Sequence, residues 1–309
     1  NIFHPKNLDF YTIKNEKICD LDLAQFNSES YKYTTLKRSS LIEFLKDEIY
    51  TQNLRFGKQI QEVRELKGKI LIKFDDNTND LVDFVIGADG IFSNTKSFFE
   101  KKKVKPTFKN AIAIRTVLQS KENLQINHNN ISILMGSNLH LVVYPINKKK
   151  ELNLVSVLRT KDKNPSNISS LIKQNVLTQN QNLKYLFKNE IKLWPLYSSK
   201  ITPSSNQKVF YIGDAFNGFL PTLAQGAGQS IESAYELFNL LKDNNLNASN
   251  LYFKSRSERA KIIERRSNLN FFVFHFSSFT MQKIRNYFLK FLIKRKFFIN
   301  NFLRKVYKN

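Results

Sequence analysis

The segment VFYIGDAFNGFLPTLAQGAGQSIESAYELF, residues 209–238, decides how this chain is read. Its opening apolar run, VFYIG (209–213), predicts a short parallel strand, because strands covered on both faces read as continuous hydrophobic stretches. Asp214 follows at the carboxyl end of that strand, where open α/β sheets form the crevice that binds ligands. Beyond Pro221, the small-residue turn AQGAG (224–228) runs straight into a helical period from Gln229 to Leu241. Free N–H groups and the positive end of the helix then face one point, which suits a partly anionic group. Glycines in such a turn let backbone approach a bulky ligand.

Working outward, the same grammar occurs once more, in VDFVIGADGIFSNT (82–95), where an apolar run ends in Gly87, Ala88, Asp89 and Gly90. An aspartate so placed can accept hydrogen bonds from ribose or ribityl hydroxyls. Either segment alone also reads as a strand ending in an Asp-capped turn. The two together, in this order, are the specific signal.

The rest of the chain limits the classes open to it. It has 309 residues, 41% of them hydrophobic, so it can build a core and is not disordered throughout. Lys and Arg number 49 against 26 Asp and Glu, a formal charge of +23. Phe, Asn, Lys and Ile are abundant together, as an AT-rich coding sequence dictates, so charge alone does not argue for nucleic acid. Cys19 is the one cysteine, which excludes an internal disulfide and fits a reducing compartment. His4, His128, His140 and His275 lack metal-ligand spacing, and no metal site is expected. The apolar stretch Phe271 to Met281 is too short to cross a bilayer.

Residues 1–35 read as polar and irregular, and Lys37 to Tyr50 as an amphipathic helix with Leu41, Phe44, Leu45 and Ile49 on one face. Strand signals follow at 59–63, 69–74 and 81–88. From about 106 to 157 strand runs alternate with polar turns, as in an antiparallel sheet. A helix is expected over 168–178, and the tail from about Asn250 reads as helical.

GADG (87–90), together with the later Gly-Asp, Pro and small-residue turn (Gly213, Asp214, Pro221, Gly226, Ala227, Gly228), resembles the two internal FAD motifs of the flavin-dependent aromatic hydroxylases. These are the group A flavoprotein monooxygenases, which include salicylate hydroxylases and ubiquinone-biosynthesis hydroxylases. Arg38, opening a helix with Leu41, resembles the family's Arg-x-x-Leu element along FAD. AIAIRTVL (111–118), VVYPINKKKELNLV (142–155) and LWPL (193–196) resemble its substrate domain, and YFKSRSERAKIIERRS (252–267) its salicylate-hydroxylase branch. Asn217 stands where the family often has histidine. The GxGxxG fingerprint for the ADP part of FAD is absent from these residues and is expected upstream of Asn1.

The resemblance implies an α/β fold: a Rossmann-like, three-layer FAD domain with an inserted, mainly antiparallel substrate sheet and a helical C-terminus. The implied domains are 1–105 and 206–245 for FAD, 106–205 for substrate and 246–309 as a basic helical region. It also implies NAD(P)H-dependent hydroxylation of a small aromatic substrate with O₂ through a flavin hydroperoxide. Arg38, Asp89, Gly90, Gly213, Asp214, Pro221, Gly226, Ala227 and Gly228 would hold FAD, with Pro221 also lining the ring pocket. Arg115, His140 and Tyr144 are the substrate-pocket candidates, each of which also reads as an ordinary strand residue. Asn217 and Gln225 are polar groups near the flavin or supports of the turn.

After Glu264 the chain has no acidic residue, while Arg265 to Lys308 supply eleven Lys and Arg among aromatic and aliphatic residues. Such a region suits peripheral contact with an inner membrane by an otherwise cytoplasmic protein. A solvated basic face in an AT-biased sequence reads the same way. Nucleic-acid binding has no motif beyond charge. The alternatives are a reductase or halogenase of the same fold, or a basic membrane-surface protein of this fold that no longer binds FAD.

Overall fold

The computed structural model describes residues 2–29, 32–119, 125–148, 151–243 and 247–307. In chain order its strands are β1 (Ile2–Phe3), β2 (Asn7–Thr12), β3 (Lys17–Asp22), β4 (Thr35–Leu36), β5 (Ile60–Leu66), β6 (Lys69–Phe74), β7 (Asn79–Val82) and β8 (Val85–Gly87). They continue as β9 (Thr107–Gln119), β10 (Ile131–Gly136), β11 (Leu139–Pro145), β12 (Glu151–Arg159), β13 (Lys192–Ser198) and β14 (Val209–Tyr211). The helices used below are α1 (Arg38–Asp47), α2 (Asn94–Phe99), α3 (Ile168–Ile172), α4 (Gly226–Lys242), α5 (Ala248–Phe274) and α6 (Phe279–Leu292).

The chain forms two compact units, one of residues 1–49, 110–196 and 271–309, the other of 50–109 and 197–270. The first unit is built on a seven-stranded sheet in the order β13-β9-β12-β11-β10-β2-β3. From β9 to β10 neighbours run antiparallel, and β2 joins β10 in parallel. Because side chains alternate across a strand, this register divides the sheet into two faces. Ile112, Ile114, Leu134, Leu141 and Leu154 line one face and pack on Ile172, Val176, Leu183 and Leu186. Phe10, Ile133 and Met135 line the other, against Phe274 and Ile293 of the C-terminal helices.

Residues 1–35, expected to be irregular, contain β2 and β3. Their composition conceals them, because Asp9 lies fully buried on an inward position. It is tolerated there through Asn130 Nδ2 at 2.7 Å and Lys17 Nζ at 3.2 Å, since a buried carboxylate persists only when paired. The helix expected over 168–178 starts as α3 and loosens into a wider turn over Lys173–Leu177.

In the second unit β5, β6 and β7 form an antiparallel sheet, and β8 pairs β14 in parallel. Val209, Phe210 and Tyr211 are buried, as continuous apolar character predicts. In β8, Val85 and Gly87 are buried but Ile86 is exposed, so burial on both faces holds for β14 and not for β8. Leu237 of α4 and Tyr252 of α5 complete this core. Arg256, itself buried, clamps α5 to α4 through Glu232 Oε1 at 2.6 Å and Gln229 Oε1 at 2.9 Å. Burial raises the Glu232 carboxyl, but hydrogen bonds from Arg259 and Arg256 outweigh it and hold the group below its ordinary range.

Candidate functional site

Parallel pairing of β8 with β14, in the register Val209↔Val85 to Tyr211↔Gly87, places the two motif turns side by side at the carboxyl ends of their strands. The Ile212 N–H donates to the Gly87 carbonyl at 3.0 Å and extends the pairing to the turns themselves. Close approach demands glycine at two positions here. A Cβ on Gly87 would lie 2.9 Å from Tyr211, and one on Gly218 would lie 2.4 Å from Ile91.

The Asp89 carboxylate accepts from the Thr95 N–H at 2.8 Å and from the Ser93 hydroxyl, so it caps α2. The Ser93 hydroxyl in turn accepts from the Lys96 N–H. Lys96 is buried, and its Nζ donates to the Ala215 carbonyl at 3.3 Å while lying 5.3 Å from the Tyr211 ring centroid. This lysine ties the first motif to the second, and burial pushes its ammonium below the ordinary lysine range, with Glu100 partly offsetting that. Nothing in the sequence spacing marks Lys96, since its role depends on a turn distant in the chain.

Gly213 opens the second turn with φ +57°, a left-handed conformation natural to glycine. Its N–H donates to Ser233 Oγ at 3.2 Å, and a Cβ there would meet Ser230 Oγ at 2.6 Å, so the turn sits directly on α4. Asp214 is exposed at the tip. The Asn217 N–H closes the turn onto the Gly213 carbonyl at 3.1 Å. Its side-chain amide differs: it is buried, and neither Nδ2 nor Oδ1 has a hydrogen-bond partner.

From Pro221 a short turn leads to Ala224, held at φ +53°, and then to α4. Thr222 Oγ1 donates to the Ser267 carbonyl at 2.7 Å, and Ser267 Oγ donates to the Leu220 carbonyl, which fixes this turn on α5. Gln225 supplies no side-chain cap, and Gly226, Ala227 and Gly228 are exposed in the first helical turn. Glycine in a helix costs about 1 kcal/mol relative to alanine, yet a Cβ on Gly226 would meet no atom within 4 Å. The same open space lies at Gly90, where φ is +82°. Thus Gly87 and Gly218 are required by the protein's own packing, whereas Gly226 leaves room beside uncapped helical N–H groups. Together with the unpaired Asn217 amide, this fits a large, partly anionic, hydroxyl-bearing group such as FAD.

The substrate candidates lie on the sheet of the first unit, and Arg38 belongs to the same unit, exposed at the start of α1. Register puts Arg115 opposite Val155 and Tyr144 opposite Asn153, on one face. Arg115 is exposed and Tyr144 half-buried. Burial raises the Tyr144 phenol, with Arg115 and Asn153 acting in the opposite sense. His140 lies on the same face at the other end of the strand, buried beneath α5, with its Nδ1 3.2 Å from His275 Nε2. The structure therefore brings Arg115 and Tyr144 near each other and encloses His140 elsewhere. Among the described residues no group of three His, Cys, Asp or Glu side chains is placed to hold a metal ion.

Comparison with known proteins identifies the family. The profile of the family described as FAD binding domain matches residues 45–265. An FAD-dependent monooxygenase from Gibberella moniliformis is 22% identical over 239 residues, covering 71% of this chain and 54% of that protein. A salicylate hydroxylase from Pseudomonas putida is 24% identical over 245 residues, covering 71% and 56%. The chain thus spans about half the length of these relatives. Klebsiella pneumoniae HpxO, solved with FAD and uric acid, superposes with a TM-score of 0.82 at 13% identity, over 94% of this chain and 77% of that one. With the profile covering well over half the chain, the protein belongs to the FAD-binding-domain family of the aromatic-hydroxylase-like monooxygenases.

Proposed function

We propose that the protein acts as an FAD-dependent monooxygenase that hydroxylates a small aromatic substrate with NAD(P)H and O₂. The observation that carries this reading is the pair of aspartate turns on adjacent parallel strands, beside a helix without a side-chain cap whose Gly226 leaves open space. Bound FAD, reduced by the nicotinamide, supplies activated oxygen to an electron-rich ring. The chain's own residues bind, orient and polarise. Asp214 accepts a hydrogen bond from a ribityl or ribose hydroxyl, and Asp89 and Gly90 shape the approach of the pyrophosphate. The N–H groups of Gly226, Ala227 and Gly228 stabilise negative charge on the flavin ring through the positive end of α4. Pro221 lines the ring pocket, and Arg38 lies along the cofactor.

Arg115 and Tyr144 are the groups proposed to receive the substrate, the guanidinium recognising a carboxylate or phenolate. The salicylate hydroxylase relative supports an aromatic acid as the substrate class. His140 is assigned to holding the sheet against α5, since its ring is enclosed. A single cysteine fits the reducing setting of the cytoplasm.

The test uses protein expressed from its complete coding sequence and loaded with FAD. A panel of phenols, salicylates and prenylated phenols is assayed for accelerated NAD(P)H oxidation and for entry of isotopically labelled oxygen into product. One member should accelerate oxidation many-fold and emerge hydroxylated. Peroxide release alone, with no labelled product from any phenol, would remove the hydroxylase reading in favour of a reductase or halogenase.

A further inference from the structure

We propose that α6 is a membrane-surface helix, docking the protein on anionic phospholipid. α6 already has a face for its own core, because Leu289 and Ile293 pack beneath the sheet. Buried Arg285 donates to the carbonyls of Val273 and Phe274 on that side. Yet the helix carries a second apolar stripe. Met281, Ile284, Tyr287, Phe288 and Phe291, at helical spacing, are all at least 40% exposed. A row of lysines, Lys283, Lys290 and Lys294, runs beside the stripe, and all three are exposed.

Cations and rings are interleaved at both ends of the helix. Lys283 Nζ lies 4.5 Å from the Phe279 ring centroid, and the Arg295 guanidinium 4.2 Å from that of Phe291. An apolar stripe flanked by cations is the pattern of a helix lying in a bilayer interface, its aromatic side at the boundary of headgroups and acyl chains. Charge complementarity chooses the occupant. No acidic residue lies on α6 or follows Glu264, and Asp20 of β3, which packs against α6, is already paired with Lys17, so a second copy docked helix to helix would set lysine row against lysine row. An anionic leaflet both neutralises the row and receives the stripe. Among the described residues no helix is long and apolar enough to cross a membrane, so the contact is a surface one.

The experiment is co-sedimentation of the full protein with phosphatidylcholine vesicles, with and without phosphatidylglycerol. Because the whole chain is cationic, location must be separated from net charge. Lys283→Gln/Lys290→Gln/Lys294→Gln is therefore compared with Lys101→Gln/Lys102→Gln/Lys103→Gln, which removes equal charge from exposed sites outside α6. The α6 triple should lower partitioning about a hundredfold, at roughly fivefold per lysine near the surface, and the control much less. Phe288→Ser/Phe291→Ser should abolish the part of the binding that survives high salt. A Phe288→Trp probe should shift its emission to the blue on phosphatidylglycerol vesicles. Equal losses from both lysine triples, or no effect of the phenylalanine substitutions, would reduce the binding to non-specific attraction and overturn the proposal. Full displacement by soluble polyglutamate would point instead to an acidic protein partner and overturn it as well.

Discussion

At the residue scale, Asn217 and Asp214 pull stability and binding in different directions. A buried amide without partners costs a folded chain about 1–3 kcal/mol, and Asn217 has two such atoms. Asn217→Ala, which removes both polar atoms without adding bulk, should leave the flavin-free protein at least as stable in urea unfolding, yet weaken flavin binding about tenfold. Unchanged affinity would return Asn217 to the turn-supporting role that its backbone N–H already performs. Asp214→Ala removes a carboxylate that is exposed in the second turn. It should raise the flavin Kd about 10-fold to 100-fold, the worth of one charge-assisted hydrogen bond, as read by fluorescence titration. Equal flavin losses with equal destabilisation in both variants would mean that neither side chain faces the cofactor. In the sheet unit, Arg115→Ala should raise KM for a carboxylated ring about tenfold or more and alter a neutral phenol's KM little, a difference visible in steady-state kinetics.

At the scale of elements, the turn into α4 is held by Ala224 in a left-handed conformation that costs an L-residue about 1–2 kcal/mol. Ala224→Gly should therefore raise unfolding stability by about 0.5–1 kcal/mol, the gain being reduced by glycine's freedom in the unfolded chain. A loss of stability in thermal melts would show that the alanine methyl makes a necessary contact. This element was legible in the sequence because its signals are local: apolar run, aspartate, proline, small turn and helical period occur in one continuous segment. The strands from β9 to β12 were legible for the same reason. By contrast β2 and β3 were not, since Asp9 looks exposed until Asn130, Lys17 and the sheet register supply its partners. Lys96 was hidden in the same way, because the carbonyl it meets belongs to a turn more than a hundred positions later.

At the scale of the whole molecule, titratable groups are unevenly divided. All four histidines fall in the sheet unit and none in the unit carrying the aspartate turns. His275 Nδ1 lies 2.6 Å from the Phe271 carbonyl, to which it donates, while its Nε2 faces both His140 Nδ1 at 3.2 Å and the Val157 carbonyl at 3.3 Å. Both rings are neutral and enclosed. Burial pushes His275 down to about 4, assisted by Arg159 and Arg285, and burial with the neighbouring His275 drives His140 well below its ordinary value. The sign follows from proton binding. Below the ordinary value of 6.5 the unfolded chain takes up protons that the folded chain refuses until about 4, so acid favours unfolding across that window. By about pH 5 His275 alone should have removed about 2 kcal/mol of stability relative to neutral pH. Acid unfolding should accordingly begin in the sheet unit, with amides of β11, β12 and the end of α5 exchanging faster on mild acidification while those of β14 and α4 keep their protection. His275→Gln should flatten this acid response even if it lowers stability at neutral pH, because a glutamine has no proton to gain. Hydrogen exchange followed by mass spectrometry distinguishes the cases: simultaneous loss of protection in both units, or an undiminished acid response in His275→Gln, would assign the lability to carboxylates instead of the buried histidine pair.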